Sequence, residues 1–159
     1  MGCDLDATRN ARLLEICGRI GSFADIARDC DPIVLAVFST DQVEDVVERA
    51  LLPAAVGKTI ICTSTCDPDR LAALGARVEK QLRFLEAPVS GTSAQVRHGD
   101  GVGLIGGDAQ IAQAAAPILD VLSDVDPIES RNCECGRSTG IRAFRRDRHL
   151  LDRRLSASG

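Results

Sequence analysis

The sequence contains no tryptophan and no tyrosine, and four phenylalanines bring its aromatic share to only 3%. Modules that hold single-stranded nucleic acid use aromatic platforms for the bases, so this composition argues against that class. The core must instead be assembled from Ala, Val, Leu and Ile, a filling that suits a layered α/β protein. Long apolar runs are also missing: none approaches the roughly 20 residues needed to span a bilayer. No charged-then-apolar leader opens the chain. The formal net charge is −4, which leaves no general polyanion-binding surface. Seven cysteines is an odd number, and an evenly paired disulfide scaffold is a poor match. Cys17, Cys30 and Cys62 lie in or beside apolar segments, where small buried thiols are expected. At 159 residues the chain has room for one ordinary domain. From these exclusions a globular, cytoplasmic protein is expected.

What is present is an alternation of apolar segments. A helix is expected over about Ala7 to Cys17, with Leu13, Leu14 and Cys17 on one side and Gly18 as its stop. Ser22 and Asp25 have the spacing of a capping box for a short helix over Phe23 to Arg28. The apolar run Pro32 to Phe38 reads as a strand buried on both faces. Ser39 or Thr40 then caps a helix over Gln42 to Leu52, with Val43, Val46, Val47 and Leu51 on one side. Further strands are expected at Thr59 to Cys62, Arg83 to Ala87 and Val102 to Ile105. Asp67-Pro68 opens a helix to about Lys80, with proline where a missing N–H costs nothing. Asp108 caps an Ala-rich helix to about Leu122. Strands alternating with helices indicate α/β architecture, a mostly parallel sheet with helices on both faces.

Near Asp126 the periodicity stops. The expected organisation is a domain over residues 1–125 and an irregular, Arg-rich tail over 126–159. Eight arginines fall between Arg131 and Arg154.

Gly101-Val102-Gly103-Leu104-Ile105-Gly106 matches the dinucleotide fingerprint G-x-G-x-x-G literally. That fingerprint works at a turn between a strand and a helix. Here the apolar residues lie inside the motif and a helix starts only after Gly107, so the segment is expected to be a glycine-containing strand. In an open parallel sheet, ligands bind beyond the carboxyl ends of the strands. Thr63-Ser64-Thr65 ends one strand and Glu86-Ala87-Pro88-Val89-Ser90-Gly91-Thr92 ends another, which puts both on the side where chemistry would occur. The hydroxyls and backbone N–H groups of Ser90, Gly91 and Thr92 suit a carboxylate; a Pro-Gly turn with an N-cap is the equally ordinary alternative.

Arg83-Phe84-Leu85-Glu86-Ala87-Pro88-Val89-Ser90-Gly91, then Gly99-Asp100 and Leu104-Ile105-Gly106-Gly107-Asp108, resembles the β-hydroxyacid dehydrogenases. These include the 3-hydroxyisobutyrate and tartronate semialdehyde enzymes and are relatives of 6-phosphogluconate dehydrogenase. The similarity covers about Gly2 to Val121. It implies an incomplete Rossmann-like fold, NAD or NADP as cofactor, and a small hydroxy acid as substrate. By the resemblance, Ser90, Gly91 and Thr92 fall in the substrate-binding motif, with Ser90 and Gly91 matching positions that hold the carboxylate. Thr65 matches a position near nicotinamide and substrate, and Phe38 and Ser39 follow a strand whose end lies along the cofactor. Asp4 matches an acidic position that accepts from the adenosine ribose hydroxyls; the alternative is that Asp4 only forms a turn. The family motif reads Asp-Ala-Pro-Val-Ser-Gly-Gly, so Glu86 and Thr92 are departures. Thr92 adds a side chain where backbone and substrate approach, which bears on substrate choice.

Two family features have no counterpart. A first strand and its glycine turn precede the position of Met1 in the family, so this chain is expected to lack the first βα unit. The catalytic lysine is also unmatched, since Lys58 and Lys80 lie outside any motif, and arginine holds its proton too tightly to replace it. No catalytic residue is therefore assigned, and the chain is expected to be inactive alone. The Arg-rich tail has the composition of a shifted reading frame or a truncated gene. A non-enzymatic module binding a partner or anion through that basic tail is the competing reading. Cys133, Cys135 and His149 fall short of a four-ligand zinc set, so no metal is expected, and neither membrane nor nucleic acid is an expected partner.

Overall fold

The computed structural model describes residues 1–98, 101–122 and 142–144. The chain divides into two compact units, Met1–Phe84 and Leu85–Gly159.

The first unit opens with Gly2 bridged in parallel to Ile20. Helix α1 (Ala7–Glu15) is capped by the Asp6 carboxylate, which accepts from the Thr8 N–H. Its end differs from the expected one. Cys17 lies outside the helix with φ +61°, and the Gly18 N–H donates to the Leu13 carbonyl at 2.8 Å. A Cβ on Gly18 would stand 2.6 Å from that carbonyl oxygen, so the close approach selects glycine there. Cys17 is exposed, Cys30 half-buried and only Cys62 buried. The α1 side expected to face a core buries no residue.

Helix α2 (Phe23–Asp29) carries the Ser22–Asp25 capping box, with both reciprocal hydrogen bonds formed. Strand β1 is only Ile33–Leu35, shorter than the apolar run. It was expected to be buried on both faces, but Val34 is 40% exposed between buried Ile33 and Leu35. The sheet order β1-β2-β3 explains this, because β1 is an edge. Helix α3 (Thr40–Asp45) runs into a π-helical segment, Val46–Leu51, and Ser39 caps it by accepting from the Gln42 N–H. Val43, Val47 and Leu51 recur every fourth residue and are buried.

Strand β2 (Thr59–Cys62) pairs in parallel with β1, Ile33 opposite Ile60 and Leu35 opposite Cys62. Helix α4 (Pro68–Val78) starts at Asp67, whose Oδ1 accepts from the Asp69 and Arg70 N–H groups. Leu71, Leu74 and Val78 point inward from it at helical spacing. The chain returns as β3 (Arg83–Glu86), where the Arg83 N–H donates to the Lys58 carbonyl. One apolar cluster joins α2, β1, the π-helical segment, β2 and α4 through Ile26, Ile33, Val47, Ile60, Leu71 and Leu74, among others.

In the second unit, β4 (Val89–Ser90), β5 (Val102–Ile105) and β6 (Arg142–Phe144) form a sheet of order β4-β5-β6 with antiparallel pairings. Glu86 and Gly106 form a further antiparallel bridge. Between the strands lie α5 (Ser93–His98) and α6 (Ala109–Leu122), the latter capped by Asp108 through the Gln110 and Ile111 N–H groups. The G-x-G-x-x-G match is strand β5, as its internal apolar residues implied. Within the stretch expected to be an irregular tail, Arg142–Phe144 lies opposite Gly103–Ile105 as β6.

Candidate functional site

The carboxyl ends of β1 and β2 lie side by side because the strands are parallel and in register. Beyond the ladder their loops are tied together by hydroxyl groups. The Leu35 carbonyl accepts from both the Thr63 N–H at 2.9 Å and the Thr63 hydroxyl at 2.8 Å. The Ser64 hydroxyl accepts from the Val37 N–H at 2.9 Å and donates to the Val37 carbonyl at 2.6 Å. One turn later, the Asp67 N–H donates to the Thr40 hydroxyl at 3.0 Å. The Phe38 N–H in turn donates to Gln42 Oε1 at 2.8 Å, and Ser39 is occupied as the cap of α3.

Phe38 is 94% exposed despite this fixed backbone. Thr65 is also exposed, so its hydroxyl stands in solvent one residue past the buried Ser64. Asp4 and Phe38 line one groove of about 1220 Å3, bounded by Met1–Leu5 and by Ile33–Phe38 of the β1 segment. Ser39 and Thr65 do not line it. Alternate residues of a parallel strand direct their polar groups to opposite neighbours. Leu35 uses its carbonyl toward β2, so Val34 directs its N–H and C=O away from β2, on the side open to this groove.

The Asp4 carboxylate is already engaged. One oxygen accepts from the Asp6 N–H at 2.9 Å, and the other lies 3.4 Å from the Arg9 guanidinium. Asp4 thus joins a local turn through its side chain, and the residue also lines the groove. Three acidic residues of the groove lining, Asp41, Glu44 and Glu48, are paired with arginines of α4. Arg70 joins Asp41 and Glu44 at 2.6 Å each, and Arg77 lies 2.7 Å from Glu48. The hydrogen bond from Arg70 holds the Glu44 carboxyl below its ordinary range.

In the second unit, Ser90 ends β4 and Gly91 has φ +135°, a conformation nearly confined to glycine. Thr92 and Gln95 make the reciprocal bonds of a capping box for α5. The Thr92 N–H and hydroxyl donate to Gln95 Oε1 at 2.8 and 3.0 Å, and the Gln95 N–H donates back to Thr92 Oγ1 at 3.3 Å. Thr92 thus caps α5, and Ser90 and Gly91 are exposed beside it. Glu86 is half-buried, and burial raises its carboxyl above the ordinary glutamate range.

Sequence reasoning placed Ser64 only within the strand-end segment Thr63-Ser64-Thr65, with no role assigned, and did not single out Gln42. A signal for Ser64 was available: continuing the period of two from the inward Ile60 and Cys62 puts Ser64 inside and Thr65 outside. Neither lysine belongs to these loops. Lys58 immediately precedes β2 and bonds the Arg28 carbonyl at 3.4 Å, so the strand, roughly 13 Å long, separates it from the β2 carboxyl end. Cys133, Cys135, His149 and the basic residues after Phe144 lie outside the described residues, as does Gly99-Asp100. Among the described residues no cluster suits a metal ion, and no helix is long and apolar enough to cross a membrane.

A family model, the NAD binding domain of 6-phosphogluconate dehydrogenase, matches residues 4–136. An L-threonate dehydrogenase from Cupriavidus necator is 32% identical over 104 residues, covering 63% of this chain and 35% of its own length. A 3-hydroxyisobutyrate dehydrogenase from Salmonella typhimurium superposes with a TM-score of 0.69 at 25% identity, covering 77% of this chain and 44% of the other. An imine reductase from Myxococcus stipitatus, solved with NAD+, shares the fold at a TM-score of 0.68 and 16% identity, with 75% and 42% covered. The chain thus spans less than half the length of each of these proteins.

Proposed function

The chain belongs to the family of the NAD-binding domain of 6-phosphogluconate dehydrogenase, and from that membership we propose that it is the NAD(P)- and substrate-facing part of a dehydrogenase of small hydroxy acids, without turnover of its own. The observation that carries this reading is the pair of strand-end loops, Val37–Ser39 and Thr63–Thr65, lashed together at the carboxyl ends of parallel β1 and β2. That is the place where open α/β sheets take nucleotides.

The residues fit part of a dinucleotide. Exposed Phe38 presents an aromatic face beside the groove, Ser39 and Thr65 follow the two strand ends, and the Asp4 carboxylate suits the adenosine ribose hydroxyls. The G-x-G-x-x-G match supplies no pyrophosphate cradle, because it is strand β5 and not a turn into a helix. NAD(P), when bound, supplies the hydride acceptor. On this reading Ser90 and the Gly91 N–H bind the substrate carboxylate, and the Thr92–Gln95 capping box holds that turn rigid. The substrate class follows the relatives, a 3-hydroxy acid of the size of 3-hydroxyisobutyrate or threonate.

Moving the hydroxyl proton requires a group that exchanges protons near neutral pH. Lys58 and Lys80 both precede strands, at the amino end of the sheet, and no other lysine occurs in the chain. Oxidation by these 159 residues alone is therefore not expected. Titration calorimetry of the full chain with NAD and NADP, with far-UV circular dichroism on the same sample, tests the reading. Micromolar binding with no turnover of either hydroxy acid is the expected result. A folded chain silent to both cofactors would refute it.

A further inference from the structure

Ser64 is the one buried polar residue among the described residues, at 6% exposure. Its hydroxyl is not needed to hold the ladder. The three β1–β2 pairs and the two Thr63 donors on the Leu35 carbonyl already join the strands. Ser64 acts one step further on, where β1 has ended and the chain turns. There a single side chain takes both polar groups of Val37, the N–H at 2.9 Å and the carbonyl at 2.6 Å. With the one hydroxyl proton committed to the carbonyl, a serine satisfies this pair with nothing left to donate.

The next residues show what the clamp governs. The Phe38 N–H is held by Gln42, and Ser39 caps α3, yet the Phe38 ring extends into solvent. The hydrogen bonds on either side fix where the Phe38 backbone stands, and so where its exposed ring is presented from. Thr65, the residue after Ser64, is likewise exposed. One buried hydroxyl therefore fixes the spacing between two presented side chains on neighbouring loops.

We propose that Ser64 is the positioning residue of the cofactor site: by clamping Val37 it sets where the Phe38–Ser39 turn stands against Thr65, and so seats the nicotinamide half of the dinucleotide. This rests on the dinucleotide reading above. The test compares NAD with ADP-ribose, which lacks the nicotinamide, by titration calorimetry of the full chain and of Ser64→Ala. The expected result is a loss of about tenfold or more in NAD affinity, roughly 1.4 kcal/mol, with ADP-ribose changed by less than about twofold. Ser64→Thr, which restores the hydroxyl, should recover NAD binding. Ser64→Cys, close in volume and a weak donor, serves if the alanine variant does not fold, and should show the same selective loss. Equal losses for both ligands, or no loss, would overturn the positioning role while leaving the cofactor reading intact. A wild-type chain that binds neither ligand would overturn the cofactor reading and this proposal with it.

Discussion

Alanine at Gly91 and alanine at Gly75 should move stability in opposite directions, and the two together test whether the turn before α5 is built as described. At Gly91 a Cβ would meet the Gln95 Cβ and the Gly101 Cα, both at 3.6 Å, which is ordinary contact. The space is therefore available, and the cost lies in the backbone, because φ +135° is nearly closed to L side chains. A residue held in such a region costs on the order of 1–3 kcal/mol. Gly75 is the converse case. It lies inside α4 with no atom within 4 Å of its added Cβ, so alanine there should stabilise by roughly 0.5–1 kcal/mol through reduced chain entropy. The chain has no tryptophan or tyrosine, so urea unfolding is best followed by far-UV circular dichroism. With a slope of about 2 kcal/mol/M, Gly91→Ala should lower the midpoint of its own unit by about 1 M, and Gly75→Ala should raise its unit's midpoint by a few tenths. A Gly91→Ala variant as stable as wild type would refute the left-handed turn, and with it the arrangement of Ser90 and Thr92.

Asp67→Ala removes the cap that accepts two N–H groups of α4; a loss of about 1 kcal/mol is expected in the same unfolding assay. Leu74→Ala truncates a fully buried side chain of the apolar cluster and should cost about 2–5 kcal/mol, a large part of what a unit of this size possesses. Glu86→Gln tests the raised carboxyl. Burial disfavours the anion, so the folded state binds the proton more tightly than the unfolded one. Wild type then loses stability as pH rises through the window that starts at the ordinary glutamate value and ends at the raised one. Relative to wild type, Glu86→Gln should gain midpoint at about pH 7 and show no such gain near pH 4; an equal difference at both would contradict the burial.

Local chemistry explains which elements were legible in the sequence. Ser22 with Asp25, Asp67 before Pro68, and Asp108 before an Ala-rich run each satisfy helix N–H groups within three residues, so their positions follow from neighbours along the chain. The strand character of Thr59–Cys62 and Val102–Ile105 was legible for a similar reason, a short β-branched run between polar boundaries. The extent of β1 was not. Composition alone makes Pro32 to Phe38 one apolar strand, whereas the fold stops it at Leu35, because Val37 is taken by Ser64 and Phe38 by Gln42.

By itself the sequence determined the order of the helices and strands from α1 to β3 and of β5 and α6, the family motif at Glu86–Thr92 and the absence of a lysine near the carboxyl ends of β1 and β2. These depend on residue identity and short spacing. Tertiary structure decided which faces are buried. Val34 is exposed because its strand is an edge, a fact about sheet order and not about valine. It also decided the use of each hydroxyl: Thr92 is closed off by Gln95, Ser39 by the start of α3, and Ser64 reaches 27 residues back to Val37. Hydrogen bonds over such distances depend on two parallel strands lying in register, and no local pattern encodes that register.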